Sequence, residues 1–209
     1  DLTIENAFAL SGSETLSTRG ADLIFESSAD ISSGSTLDAS GTDNSSGGGK
    51  PVLEFQLGGT GNGTINARNA IFKIGSAYAV TGTLKTNSTT SLELGTANLD
   101  LSGGTLELGG NVTLNQILTN NQTTFKLGEN TTVTRNVGFT IGEMELGGYV
   151  MTLGSATTDL TLDSSSWKLI AKQANSDEQL FSSSARSTYL ENENDSSQST
   201  FMSIGNLTE

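Results

Sequence analysis

The 209-residue chain has no histidine, no cysteine and one proline, and it sets ten lysines and arginines against 23 aspartates and glutamates. Without histidine, Ser-His-Asp triads, His-ligated zinc and imidazole acid–base catalysis are excluded. Without cysteine there is neither a disulfide nor a thiolate metal site. The formal net charge of −13 comes with no basic run. No clustered positive charge is therefore on offer to release phosphate counterions, and nucleic acid and anionic lipid are disfavoured as partners. No run of about 18 apolar residues and no signal-peptide pattern is present, so direct membrane insertion is not expected. The start at Asp1 rather than methionine fits a processed protein or a piece of a longer one, and the lack of cysteine fits a bacterial surface protein.

Hydrophobic residues make up 33% of the chain and aromatics 6%, while Ser, Thr, Gly and Asn are abundant. A core made from this material is thin, which favours a single layer of stacked repeats over a thick globule. What the chain does contain is one short phrase repeated: two apolar residues flanking a third position, as in Leu2–Ile4, Leu23–Phe25, Phe55–Leu57, Phe72–Ile74, Leu106–Leu108 and Phe125–Leu127. Such alternation is a strand signal, and no window sustains helical periodicity.

Every third phrase aligns at about 20 residues. One column starts at Phe72, Leu92, Val112 and Met151, with Val133 between the last two. A second holds Tyr78, Leu99, Ile117, Phe139 and Leu160, and a third Leu106, Phe125 and Met144. Leu2, Phe8 and Leu16, then Leu23, Ile31 and Leu37, form the first two coils. Three strands per turn of about 19–20 residues describe an all-β, triangular parallel β-helix. A leucine-rich repeat shares this period but needs a helical return segment that is missing here. An antiparallel β-sandwich is the alternative, although hairpins place no premium on a 20-residue register.

The outward positions of the third column read Lys85, Glu107, Lys126 and Glu145, a ladder of alternating charge if successive coils stack at strand spacing. In the first column the outward residues are Lys73, Glu93, Thr113, Thr132 or Thr134, and Thr152, a partial threonine row. Gly58, Gly75, Gly95, Gly109, Gly128, Gly147 and Gly154 follow strands and are expected at corners of positive φ. Asn98, Asn111, Asn130 and Asn136 are expected to tolerate similar geometry. The rhythm breaks twice. Residues 38–50, DASGTDNSSGGGK, read as a Gly/Ser-rich loop inserted into a β-helix over 1–163, and 164–209 read as less regular terminal coils, a cap or a linker.

For chemistry there remain carboxylates, Lys, Arg, Ser, Thr and Tyr. Asp38, Asp43, Glu93, Asp100, Asp159 and Asp163 are the candidate carboxylates for polysaccharide hydrolysis or elimination, and each also reads as a solvated surface charge. Three tyrosines and few basic residues furnish a sugar-stacking groove poorly. GGTGNGTIN, residues 58–66, approaches the calcium nonapeptide, but Gly63 stands where the aspartate ligand belongs, so it reads as a turn. Asp38, Asp43 and Asn44 are the residues that could hold Ca²⁺; no other metal or cofactor is expected, and no catalytic residue is assigned. The threonine row raises an ice-binding face, which Lys73 and Glu93 interrupt. Sequons such as Asn87-Ser-Thr89 and Asn111-Val-Thr113 are no more frequent than the composition explains.

The stretch TSLELGTANLDLSGGTLELGGNVTLN, residues 90–115, resembles the passenger domains of bacterial autotransporters and the filamentous-haemagglutinin-like adhesins, a pattern that extends over about residues 2–162. The resemblance implies a right-handed parallel β-helix (β-solenoid), a rod on the cell surface or in the matrix that adheres, spaces other domains, or self-associates into filaments. Its implied partners are copies of itself, neighbouring domains of a longer chain, glycans or host surface ligands. A glycan-cleaving β-helix enzyme or a tailspike-like glycan-binding module is the alternative from another class.

Overall fold

The computed structural model describes residues 1–41, 49–135, 139–154, 160–162, 168–172 and 201–205. Two compact units emerge, Asp1–Leu162 and Asp163–Glu209. The first is an all-β, right-handed parallel β-helix of about seven turns, with no helix among the described residues. Each early coil has three short strands. The first holds β1 (Leu2–Ile4), β2 (Phe8–Leu10) and β3 (Thr15–Ser17); the second β4 (Leu23–Phe25), β5 (Ala29–Ile31) and β6 (Thr36–Asp38). The third holds β7 (Val52–Phe55), β8 (Gly59–Gly61) and β9 (Thr64–Asn66); the fourth β10 (Ile71–Ile74), β11 (Tyr78–Val80) and β12 (Thr83–Lys85). The fifth begins with β13 (Ser91–Glu93) and β14 (Leu99–Asp100). From there β15 (Thr105–Thr113) and β17 (Thr124–Thr134) each run on from one coil into the next, with β16 (Ile117–Leu118) between them. The last strands of this unit are β18 (Phe139–Ile141), β19 (Glu143–Glu145), β20 (Met151–Leu153) and β21 (Leu160–Leu162).

Three parallel faces result: β1-β4-β7-β10-β13; β2-β5-β8-β11-β14-β16; and β3-β6-β9-β12-β15-β17-β19. The expected alignments Phe72 with Leu92, Tyr78 with Leu99 and Ile117, Phe139 with Leu160, and Leu106 with Phe125 and Met144 are all register partners. Four alignments differ, the first being that Ile117 and Phe139 are not register partners, since β16 ends the second face and β18 pairs with β21. Val112 faces Val133, which faces Leu153 rather than Met151, and Leu92 has no partner in the sixth coil. Ile31 faces Leu10, while Phe8 faces Ala29. Strand β6 closes at Asp38 and β7 opens at Val52; of the stretch expected to be an inserted loop, residues 42–48 lie outside the described residues. In the second unit β22 (Lys168–Lys172) and β23 (Phe201–Gly205) pair antiparallel, so a further parallel coil does not describe these strands.

Alternation places Leu23, Phe25, Leu53, Phe55, Phe72 and Ile74 inside at zero to 4% exposure, where Phe8, Phe25, Phe55 and Phe72 form a file along the axis. Tyr78 joins it beside Phe55, with ring centroids 4.3 Å apart. Its hydroxyl reaches past the third coil to donate to the Ala29 carbonyl at 3.2 Å. Strand β8 permits this because it is Gly-Thr-Gly. A Cβ on Gly61 would lie 3.4 Å from the Tyr78 ring, and one on Gly59, at φ +142°, would collide with the Ala29 carbonyl.

Burial, and secondarily the Asp30 carboxylate, push the Tyr78 phenol far above its ordinary value. The proton is thus held more tightly folded than unfolded. Stability from this group is complete below about pH 10, where an unfolded tyrosine titrates, and is lost as pH rises further. Tyr78→Phe is expected to cost about 1 kcal/mol at neutral pH through the lost hydrogen bond, and to flatten the alkaline fall in stability. Urea melts of both proteins at neutral pH and above pH 10 check this.

The corner glycines divide into two kinds. Gly58, Gly95 and Gly147 have positive φ, as expected, whereas Gly75, Gly109, Gly128 and Gly154 do not. At Gly75 and Gly109 the backbone of the preceding coil is too close for a Cβ, which at Gly75 would meet the Gln56 carbonyl at 2.8 Å; at Gly128 and Gly154 the nearest atoms belong to the side chains of Glu107 and Thr134. Asn98, Asn111 and Asn130 are likewise not left-handed, a role taken by Asn69 and Arg19, and Asn136 lies outside the described residues.

Candidate functional site

The most distinctive geometry lies where the fifth coil meets the sixth. Between β9 and β10 the corner is the turn 67–70, and between β12 and β13 it is the longer turn 86–90. Strand β15 makes the equivalent corner with no turn at all, shifting register between Leu108 and Gly110. Cutting the corner swings Gly110–Thr113 onto Thr131–Thr134 of β17 and away from β13, which pairs only with β10. The first face stops there, and a seam opens. Gly109 and Gly110 make the short cut possible: a Cβ on the first would lie 2.6 Å from Asn87 Cα, and one on the second 2.5 Å from Ser88 Cα.

The seam holds a cleft of about 280 Å³. One wall is Ser91 and Leu92, the other Asn111, Val112 and Thr113, and the turn residues Thr86, Asn87 and Thr90 with Gly109 close it. The turn is held by its own polar groups. The Thr86 hydroxyl donates to the Glu107 carbonyl at 2.7 Å and the Thr90 hydroxyl to the Ala67 carbonyl at 2.9 Å. Asn87 donates its amide to Asn69 Oδ1 at 2.8 Å and accepts the Asn69 backbone N–H at 3.0 Å, while the Ser88 N–H donates to Glu129 at 3.1 Å. At the rim the Lys50 ammonium donates to Ser91 Oγ at 3.1 Å.

Beside the seam runs the expected charge ladder. Lys85, Glu107, Lys126 and Glu145 are register partners in that order. Only the last two ion-pair with each other, at 3.0 Å. Glu107 is buried and forms its ion pair with Arg68, from the corner of the fourth coil, while the small Gly128 leaves room for its carboxylate. Lys73 and Glu93 also pair, at 3.6 Å.

The longest polar row was not in the sequence-based alignment. Thr15, Thr36, Thr64, Thr83, Thr105 and Thr124 are successive register partners on the outside of the third face, followed by Glu143. Its signal was present: each Thr stands immediately before an inward Leu, Ile or Phe and after a corner residue. The row expected in the first column is split, with Thr132 facing Thr152 and Thr113 facing Thr134 on strands that do not pair with the first face.

The remaining candidates do not converge. Asp38 Oδ1 accepts hydrogen bonds from Asn66 Nδ2 at 3.0 Å and from the Ser40 backbone and hydroxyl at 3.1 and 2.6 Å. Asp43, Asn44, Asp159 and Asp163 lie outside the described residues, among which no group of three metal-ligating side chains occurs. Glu93 and Asp100 sit on consecutive strands but on different faces, and Asp100 accepts the Ser102 N–H at 2.9 Å. GGTGNGTIN supplies β8 and β9 with a turn between them. No helix among the described residues is long and apolar enough to cross a membrane. Comparison of the chain with protein families, curated proteins and solved structures finds no match.

Proposed function

We propose that this chain is an extracellular structural and adhesive β-solenoid module of a bacterial surface or matrix protein, and that it associates end to end into filaments. The observation that carries this reading is the row Leu2, Leu23, Leu53. The second and third are fully buried by their neighbouring coils, while Leu2, in the first coil, is 50% exposed. Ile4, Phe8 and Leu16 of the same coil are only partly buried, and β1, β2 and β3 each have one paired side. Three open ladder edges at one end of an apolar core suit another parallel coil, whose strands would pair with all three at once. Either a second copy or a neighbouring domain of a longer chain supplies such a coil.

Asp1, Glu5 and Glu14 put negative charge around the same end, so stacking is expected to strengthen as salt screens it. Electron microscopy with mass measurement over a range of protein and salt concentrations, with and without Ca²⁺, tests the reading. Rods that lengthen with concentration, and that shorten in Leu2→Asp, are the expected result. Monomers of one short length under every condition overturn the filament.

A further inference from the structure

We propose that the seam cleft between Ser91–Leu92 and Asn111–Thr113 binds a neutral polyhydroxylated ligand, one sugar ring of a glycan. This names a ligand for the adhesive reading above and rests on that reading for its setting.

The interrupted ladder leaves backbone groups pointing into the cleft from both walls. The Ser91 N–H donates to the Ala70 carbonyl in the fourth coil. In a parallel ladder successive residues face opposite neighbours, so the N–H and C=O of Leu92 face the sixth coil. On the other wall the Leu114 N–H donates to the Thr134 carbonyl, so Val112 also faces the seventh coil. Asn111 and Thr113 therefore turn their N–H and C=O groups toward β13. The cleft thus offers ladder donors and acceptors together, with none of the partners they have in other coils.

An added peptide strand is the obvious occupant of an open ladder, and the geometry excludes it. The chain is clamped at single ladder spacing on both sides of the cleft. Leu84, in the strand that leads into β13, faces Leu106, in the part of β15 that leads into Gly110–Thr113, and Leu99 of the fifth coil faces Ile117 of the sixth. Inserting a strand requires about twice the strand spacing of ~4.8 Å. The occupant is therefore small. An anion is disfavoured because the carbonyls of Leu92, Asn111 and Thr113 would repel it, and no aromatic platform lines the cleft. Hydroxyl groups donate and accept at once, which is what mixed walls require. Ser91 adds to this: its oxygen accepts from Lys50, leaving its own proton to donate.

Titration of the ¹⁵N-labelled full chain with glucose, galactose, mannose and N-acetylglucosamine, and with glucuronate as the anionic control, tests the proposal by amide shifts. The expected result is saturable shifts at Leu92, Asn111 and Thr113 with at least one neutral sugar. Binding should weaken at least tenfold in Ser91→Phe, which fills the cleft from one wall, and in Thr113→Phe, which fills it from the other. No saturable shift with any neutral sugar overturns the proposal. So does tighter binding of glucuronate, or undiminished binding in whichever filled variants keep the wild-type circular dichroism. Rods without sugar binding overturn the cleft alone, and sugar binding without rods overturns the filament alone.

Discussion

Phe55→Ala is expected to cost about 4 kcal/mol, the upper part of the range for truncating a fully buried aromatic. The ring is completely buried and lies against Phe25 at 5.1 Å, nearly parallel, against Phe72 at 5.8 Å and against Tyr78 at 4.3 Å. No other ring of the file touches three neighbours. Collapse around the vacancy is resisted because the coils are fixed at ladder spacing, with Phe55 in register between Phe25 and Ile74. The change also falls in β7, the first strand of the third coil, where it meets the second. Repeat stacks hold together through nearest-neighbour contacts, so weakening one interface uncouples what lies on either side. Urea unfolding followed by circular dichroism is therefore expected to show a lower midpoint and a smaller m-value, the sign of a transition no longer shared by all coils. A loss below about 1.5 kcal/mol with an unchanged m-value would mean that the file is not a packed core.

The rows that the sequence makes legible are those whose inward positions are large and apolar. Leu106, Phe125 and Met144 announce both their strands and their register, because a slip of one residue would turn every one of them outward. Strand β8 does not announce itself: Gly59, Thr60 and Gly61 carry no apolar signal, since a Cβ on Gly59 would meet the Ala29 backbone and one on Gly61 would crowd Ile65 and the Tyr78 ring of the next coil. The seam was hidden for a related reason. Spacing alone places Leu92 and Val112 in one column, 20 residues apart like their neighbours. The missing corner is encoded only in Gly109 and Gly110, which resemble any other glycine turn until the close approach of Asn87 and Ser88 is seen. In the charge ladder the order of residues was legible, but the choice of partner was not. Strand spacing predicts Lys85 or Lys126 for Glu107, whereas a corner arginine in another coil covers it.

That choice of partner sets the second large effect. Arg68→Ala is expected to cost about 3 kcal/mol, and Glu107→Ala distinctly less, because removing one member of an ion pair is expensive in proportion to how deeply the other remains buried. The Glu107 side chain is 8% exposed and that of Arg68 40%. Deleting the arginine therefore strands a buried carboxylate, while deleting the glutamate leaves a guanidinium that can turn to water. Lys85 and Lys126 flank Glu107 in the ladder, but Lys126 is engaged with Glu145, and neither forms an ion pair with Glu107 while Arg68 is present. Glu107→Gln in the Arg68→Ala background removes the stranded charge and keeps the shape, so the double variant is expected to regain more than half of the loss. Thermal and urea unfolding of the two single variants and the double variant, analysed as a cycle, measures this directly. Equal losses from the two single substitutions would place Glu107 in water after all. Full stability in Arg68→Ala would mean that a ladder lysine takes over, so that the alternating charges of the third face act as a reserve for the buried carboxylate.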